Sequence, residues 1–372
     1  MDVTISDVAA YADVSIRTVS RVLNRSTKVN AQTRERVEAA IQALGFRPSA
    51  RARGLATGQS FLIGMVHNDL NALVLDAVQR GMVREATRRG YEIVIHPTHT
   101  PPEGAVNDVL EFINRSRVDG LVVLSPVSTV EGLPQALAEA EVPAVAMSPT
   151  ELKGYTGVVV SGERAAAAAV ARHLLELGHT RIALISGPSA AFSARERRAG
   201  FVSALLERGC GLTGEAEGDY SFNSGAAAAD RLLSLDPRPT AIFAANDVMA
   251  AGVLKAAAAR NIAIPQDLSV VGFDGSILAE MLTPSLTTVH RPMGDMAQLA
   301  TAWLINMVER QEAPEQPIFH QNLTLVPGAS SALAPCASDI LIPSRTGPPG
   351  NDQGTQDTGT VSKGRRQDKL TP

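Results

Sequence analysis

The run TISDVAAYADVSIRTVSRVLN, residues 4–24, reads as two short helices joined by a three-residue turn. Thr4 can cap the first helix, with Asp7 three residues on as the partner of a capping box. Val8, Ala9 and Ala12 then recur at helical spacing. Asp13-Val14-Ser15 make the turn, and Ser15 can cap a second helix carrying Ile16, Val19, Val22 and Leu23. This is the spacing of a helix–turn–helix, whose second helix lays its N-terminal residues in the major groove of DNA. Ser15, Ile16 and Arg17 hold those positions, and Arg21 lies one turn beyond Arg17 on the same face. An Arg guanidinium can grip guanine O6 and N7 together, and an apolar tip such as Ile16 can touch a thymine methyl. Thr18, Ser20 and Asn24 suit phosphates, which set register, and Thr4 joins them as a candidate contact.

Working outward, Asn30 can cap a third helix in which Val37, Ala40, Ile41 and Leu44 share a face, with Gly45 as the stop. Residues 1–46 thus form an all-α helix–turn–helix domain. Residues 47–60 are basic and glycine-bearing, with too few apolar side chains for a core element, and read as a hinge or linker. From 61 to 330 short apolar runs alternate with alanine- and leucine-rich helical stretches. Strands are expected at 61–66, 91–95, 120–124, 143–147, 157–160, 181–185, 240–244, 268–273 and 286–289, with a late one at 323–326. That alternation predicts doubly wound parallel sheets, and the strand number predicts two subdomains. Residues 331–372 are rich in Gly, Pro, Ser, Thr and Asp and read as a flexible tail.

The chain of 372 residues has a net charge of −4, unevenly spread. Residues 1–60 carry nine Lys and Arg against five Asp and Glu, and the rest carries 25 against 33. A basic head on an acidic body suits a protein whose head alone meets a polyanion. Two cysteines, Cys210 and Cys336, exclude a disulfide framework and a four-cysteine zinc site. The start MDVTISDVAA lacks the basic and apolar blocks of a secretory signal, and no apolar run approaches a membrane span, so a soluble cytoplasmic protein is expected.

In open α/β sheets a ligand sits beyond the carboxyl ends of the strands. That rule selects Asp69, Ser125, Phe192, Arg197, Asn246, Asp274 and Arg291, to which Tyr220 in GDYSFNSG adds an aromatic face. Hydroxyl, amide, carboxylate and guanidinium groups together suit a sugar, whose hydroxyls both donate and accept. Tyr220 and Phe192 fit a core as well as a ligand platform, and of Asn246-Asp247 the aspartate reads as the cap of the next helix.

The run from Thr4 to Ser60 closely resembles the head and hinge of the LacI/GalR family of bacterial transcription regulators. The likeness continues over 61–330 through LGHTRIALISG (177–187), SARERRAGF (193–201), TAIFAANDVMAAG (240–252), IPQDLSVVGFDG (264–275) and LTTVHRPM (286–293). It implies a periplasmic-binding-protein-like core of two subdomains used as a sensor. It also implies a hinge helix that forms on operator DNA, capped by Ser49. Arg51 and Arg53 would then lie along the groove, with Leu55 wedged into a central CpG step. By the same resemblance Arg197, Asn246 and Asp274 hydrogen-bond the effector and Tyr220 lines its pocket. The chain departs from the pattern at Asp13, where Gly is usual in the turn, although Asp tolerates a left-handed backbone. It departs again at Gly275, in place of a second Asp, at Arg291, in place of a frequent Gln, and in HNDLNALVLDA, which lacks Asn-Pro-Phe.

The expected protein is a homodimeric repressor of carbohydrate or glycoside genes. Its partners are double-stranded operator DNA, a pseudopalindrome, and a small sugar effector that releases it; no membrane is involved. The alternatives are a purine-responsive or sugar-dependent co-repressor system and, in another class, a sugar-binding transport protein, which would need export. No catalytic residue, cofactor or metal is expected. GCGLTG (209–214) matches a dinucleotide fingerprint by letter only, since it follows a helix and reads as a helix stop plus loop. The seven histidines show no ligand spacing.

Overall fold

The protein is described by a computed structural model that covers residues 3–23, 26, 28–46, 59–68, 71–98, 102–309 and 314–335. Asn24, Arg51, Arg53, Leu55 and Asp69 lie outside the described residues, as does most of the hinge and of the tail. Three helices open the chain: α1 (Ile5–Tyr11), α2 (Ile16–Leu23) and α3 (Ala31–Leu44). Thr4 and Asp7 form the reciprocal capping box, with the Thr4 N–H donating to Asp7 Oδ2 at 2.8 Å. Asp13 takes the turn with φ +49°, and Gly45 ends α3 with φ +62°, a conformation that costs glycine little. Val8, Ala9, Ala12, Val19, Val22, Val37 and Ala40 close a small core.

The rest is two α/β lobes. The first lobe's sheet runs in the order β11-β5-β4-β3-β1-β2, all parallel. Its strands are β1 (Leu62–His67), β2 (Glu92–Pro97), β3 (Gly120–Leu124), β4 (Ala144–Ser148), β5 (Gly157–Ser161) and β11 (Ile318–Gln321). The second is the parallel sheet β7-β6-β8-β9, made of β6 (Ile182–Ser186), β7 (Leu212–Glu217), β8 (Ala241–Ala244) and β9 (Ser269–Val271). Beside it, β10 (Thr288–His290) and β12 (Thr324–Val326) pair antiparallel. β3, β4, β5, β6 and β8 are buried along their whole length, as strands covered by helices on both faces must be.

The chain passes between the lobes three times: after β5, after β10 and between β11 and β12. The second passage brings α12 (Met293–Val308) back to the first lobe, where Met296, Ala300 and Leu304 share a core with Met65, Val122 and Val145. There α12 lies against α4 (Ala72–Arg89). The approach is close because Gly81 has no side chain: a Cβ there would sit 1.9 Å from the carbonyl oxygen of Gly294. Gly81→Ala is therefore expected to lower stability by about 1–3 kcal/mol. Urea unfolding checks this against Gly211→Ala, whose added Cβ meets no atom within 4 Å and should change little.

Composition places residues 331–334 in the tail, yet they are bonded to the second lobe. Ala332 N donates to Ser269 Oγ at 3.0 Å and Ala334 N to Leu177 O at 2.8 Å. Ser331 Oγ also pairs with Thr287 Oγ1 at 2.8 Å, so polar residues of the kind that read as linker here serve as strand-edge partners. GCGLTG opens no helix, but Leu212 within it begins β7 where a loop was expected.

Candidate functional site

In the head, Val19 and Val22 turn the apolar face of α2 into the core, which fixes the opposite face outward. Ser15, Ile16 and Arg17 are exposed at its start, and Thr18, Ser20 and Arg21 are half-buried. Ile16 is 50% exposed, a branched apolar side chain beside a guanidinium at a helix tip. Ser15 caps α2, its Oγ accepting from Thr18 N at 3.1 Å, and Thr4 is spent in the capping box of α1.

The second site is a cavity of about 490 Å³ between the lobes. The first lobe lines it with Ser125, Ser148 and Ser161 at the carboxyl ends of β3, β4 and β5, and with Asn71 and Val74 at the start of α4. The second lobe brings Arg197 from α8 (Phe192–Leu206), Tyr220, Asn246 and Asp274. Arg291, Met293 and Met296 come from the second passage between the lobes. The mixed lining, apolar walls with a few converging polar groups, is that of a small-molecule site.

Four charges meet at its floor. Arg197 donates from Nε to Glu163 Oε2 at 2.8 Å, from Nη1 to Ala245 O and from Nη2 to Asp274 Oδ1 at 3.4 Å. Its guanidinium lies 3.9 Å from the centre of the Phe273 ring. Arg291 donates from Nη1 to the same Asp274 Oδ1 at 3.3 Å and stands 3.6 Å from Glu163 Oε1. Glu163 opens α7 (Glu163–Glu176), is fully buried, and also accepts from Ser161 Oγ at 2.9 Å. Burial opposes its charge, but Arg197 and then Arg291 hold its carboxyl below the usual range. Burial likewise opposes the charge on Arg197, and the Glu163 and Asp274 carboxylates hold its pKa above the ordinary value.

Tyr220 sits at φ +69°, with its ring over Gly187, where a Cβ would come within 2.2 Å of ring carbon Cζ. Burial pushes its phenol up to about 12, so it is a neutral donor and acceptor. The Tyr220 hydroxyl and Arg291 Nε are buried with no hydrogen-bond partner among the described residues. Asn246 is the helix cap: its Oδ1 accepts from Met249 N at 2.8 Å, and its Nδ2 donates to Tyr220 O at 3.0 Å.

Comparison with known proteins matches residues 4–49 to a family described as bacterial regulatory proteins, lacI family. Residues 171–331 match a periplasmic binding protein-like domain. The chain is 35% identical over 315 residues to the ribose operon repressor of Escherichia coli strain K12, covering 84% of this chain and 95% of that one. The chain belongs to the lacI family of bacterial regulatory proteins. It is also 34% identical to catabolite control protein A of Priestia megaterium, over 84% of this chain and 94% of that one. The crystal structure of the lac repressor dimer bound to operator and the anti-inducer ONPF superposes with a TM-score of 0.73 at 29% identity. That match covers 89% of this chain and all of the other.

Of the residues that sequence reasoning selected in this lacI-family core, Ser125, Arg197, Tyr220, Asn246, Asp274 and Arg291 line one cavity. Phe192 does not. It opens α8 with the Arg195 guanidinium 4.1 Å from its ring centre, and Phe222 instead joins Tyr220 on the cavity wall. Asp247 does not cap its helix, because Asn246 already does; its carboxylate accepts from Ser276 N, Ser276 Oγ and Thr288 Oγ1 at 2.6–2.9 Å. Glu163, Ser161, Ser148 and Asn71 were missed. The strand-end rule would have found the first three, since Ser161-Gly162-Glu163 follows directly on the 157–160 strand and Ser148 on the 143–147 strand.

Burial, with the nearby Asp274 charge, pushes Asp247 up to about 7. Its ordinary value is 3.8, so from about pH 4 to 7 the folded chain holds a proton that the unfolded chain has lost. Stability attributable to this group therefore falls as pH rises through that window and levels off above it. His173 and His179, held neutral by burial, act in the opposite sense below about pH 6.5. Thermal unfolding of Asp247→Asn and the parent at matched pH isolates the group. The difference is expected to grow in the variant's favour between pH 5 and 8, and a constant difference would show that Asp247 titrates normally.

Proposed function

We propose that this lacI-family chain is a sequence-specific DNA-binding repressor, acting as a cytoplasmic homodimer. We place a DNA-reading domain at 1–46, a hinge at 47–60, an effector-binding and dimerisation core at 61–334 and a tail beyond it. Ser15, Ile16, Arg17, Thr18, Ser20 and Arg21 read or position the operator. A twofold dimer reads a pseudopalindrome, because protein symmetry is mirrored in the DNA. No helix among the described residues is long and apolar enough to cross a membrane. The proposal assigns no catalytic step to the cleft.

The effector is a sugar or glycoside held between the lobes by Ser125, Arg197, Tyr220, Asn246, Asp274 and Arg291. The observation that carries this is the convergence on one cavity of Ser125, Ser148 and Ser161 from the first lobe with Tyr220, Asn246, Asp274 and Arg291, over a prebuilt charge network. The names of relatives support a sugar: a ribose operon repressor, and a CelR–cellobiose complex at 29% identity and TM-score 0.65. Repressors named PurR, 32% identical in Vibrio cholerae, make purines the comparison ligands.

The ligand acts by population shift, binding two lobe arrangements with affinities that differ by about 1–3 kcal/mol. Fluorescence anisotropy of a CpG-centred palindrome at fixed salt, followed by sugars and purines, tests the reading. Reversal of tight binding by one sugar is expected, and a folded protein that binds no duplex overturns it. Asp274→Ala should keep operator affinity and lose the sugar response; a retained response removes Asp274 from the site.

A further inference from the structure

We propose that Glu163 determines which ligand charge the cleft accepts, by holding the cavity floor at zero net charge. The inference rests on the reading of the cleft as the effector site. Glu163 does not line the cavity. It lies behind the lining, fully buried, on the first residue of α7, with one carboxylate oxygen toward each arginine. Asp274 Oδ1 takes one contact from each guanidinium on the cavity side. Two cations thus face two anions.

All four side chains are withdrawn from water, with exposures of 4% for Arg197, 0% for Glu163, 9% for Asp274 and 14% for Arg291. Charges so placed are poorly screened, and an unmatched charge among them carries a large desolvation penalty. A ligand carboxylate or phosphate would bring a third anion with no free cation to meet it. A ligand ammonium would meet the reverse problem. A neutral polyhydroxyl ligand needs only hydrogen bonds, and polar residues on the cavity wall, Ser125 and Asn246 among them, can make them.

The other nearby acids do not upset the balance. Asp219 is on the rim, exposed, with its carboxylate accepting from Ser221 N. Asp247 is not on the cavity wall and is bound by Ser276 and Thr288. Removing the Glu163 charge would turn Arg291 from a neutralised group into an anion receptor on the cavity wall.

The test is calorimetric titration of the full chain with three ligands of one shape: D-galactose, D-galacturonate and D-galactosamine, then the same trio in the glucose series. Ratios are taken within each trio, so weak absolute affinity does not enter. The parent is expected to prefer the neutral sugar over both charged forms by tenfold or more. E163Q should shift the uronate-to-sugar ratio by tenfold or more toward the uronate. R291Q, which removes the opposite charge, should shift the ratio tenfold toward the amino sugar. The double variant E163Q/R291Q should return to the neutral preference. Equal weakening of all three ligands in E163Q would make Glu163 a scaffold residue and overturn the proposal. Should E163Q not fold, an unshifted ratio in R291Q overturns it alone. Binding of neither trio, with operator release by a purine, would instead overturn the sugar reading on which the proposal depends.

Discussion

Arg197→Met is expected to abolish the effector response and to destabilise the chain by about 3–5 kcal/mol, the range for breaking a buried charge network by deleting one partner. Methionine preserves length and apolar stem, so the loss is of charge and donors rather than volume. Glu163 Oε2 and Ala245 O each lose a hydrogen bond, and Asp274 keeps only Arg291. Glu163, fully buried, is left facing one cation at 3.6 Å. The Phe273 face also loses its guanidinium cover. Arg197→Lys should not rescue, because an ammonium cannot reach three acceptors with a planar fork. Urea unfolding and ligand titration read the two effects separately. A destabilisation under about 1 kcal/mol would show that the network serves ligand binding and not folding.

The second large effect is expected at the other end of the molecule. Arg17→Ala should weaken specific operator binding by about 1–3 kcal/mol, a factor of about 5 to 150, and leave binding to random duplex nearly unchanged. The reason is geometric. Arg17 is exposed in the first turn of α2, next to exposed Ile16, on the face opposite Val19 and Val22. A guanidinium there can reach a base edge and so discriminate sequence, whereas a phosphate contact would contribute equally to every sequence. Anisotropy with specific and scrambled duplexes at several salt concentrations decides this. Equal loss on both duplexes, with a shallower salt slope, would make Arg17 a backbone contact.

Much of this was legible in the residue order, where local rules act alone. The caps at Thr4 and Asn30, the left-handed turn at Asp13 and the fully buried strands all follow from spacing and residue type. Two strands did not announce themselves. β7 is an edge strand reading LTGEAE, with a glycine and two carboxylates on a half-solvated ladder, and it lacks the branched apolar run that marks a central strand. β11 is IFHQ, four residues that are a strand only because β5 lies alongside. In the site, side-chain direction was the hidden variable. Phe192 and Phe222 both open helices near the cleft, and only the rotation of each helix decides which ring reaches it. Asn246 and Asp247 are both plausible caps, and the choice between them depends on where Ser276 and Thr288 arrive from across the lobe.

The three passages of the chain between the lobes have a practical corollary for anyone shortening this protein. Neither lobe is a continuous stretch of the gene. The first needs α12 and β11 from beyond residue 290, and the second needs β12 and residues 328–334 after that. Gly162 N, on the first passage, donates to Gln321 O, on the third, at 3.0 Å, so the earliest link leans on one made more than 150 residues later. A stop codon near residue 310 would therefore not trim an appendage. It would strip one strand from each half and release both, and deletions meant to remove the tail alone must leave everything through Ala334 in place.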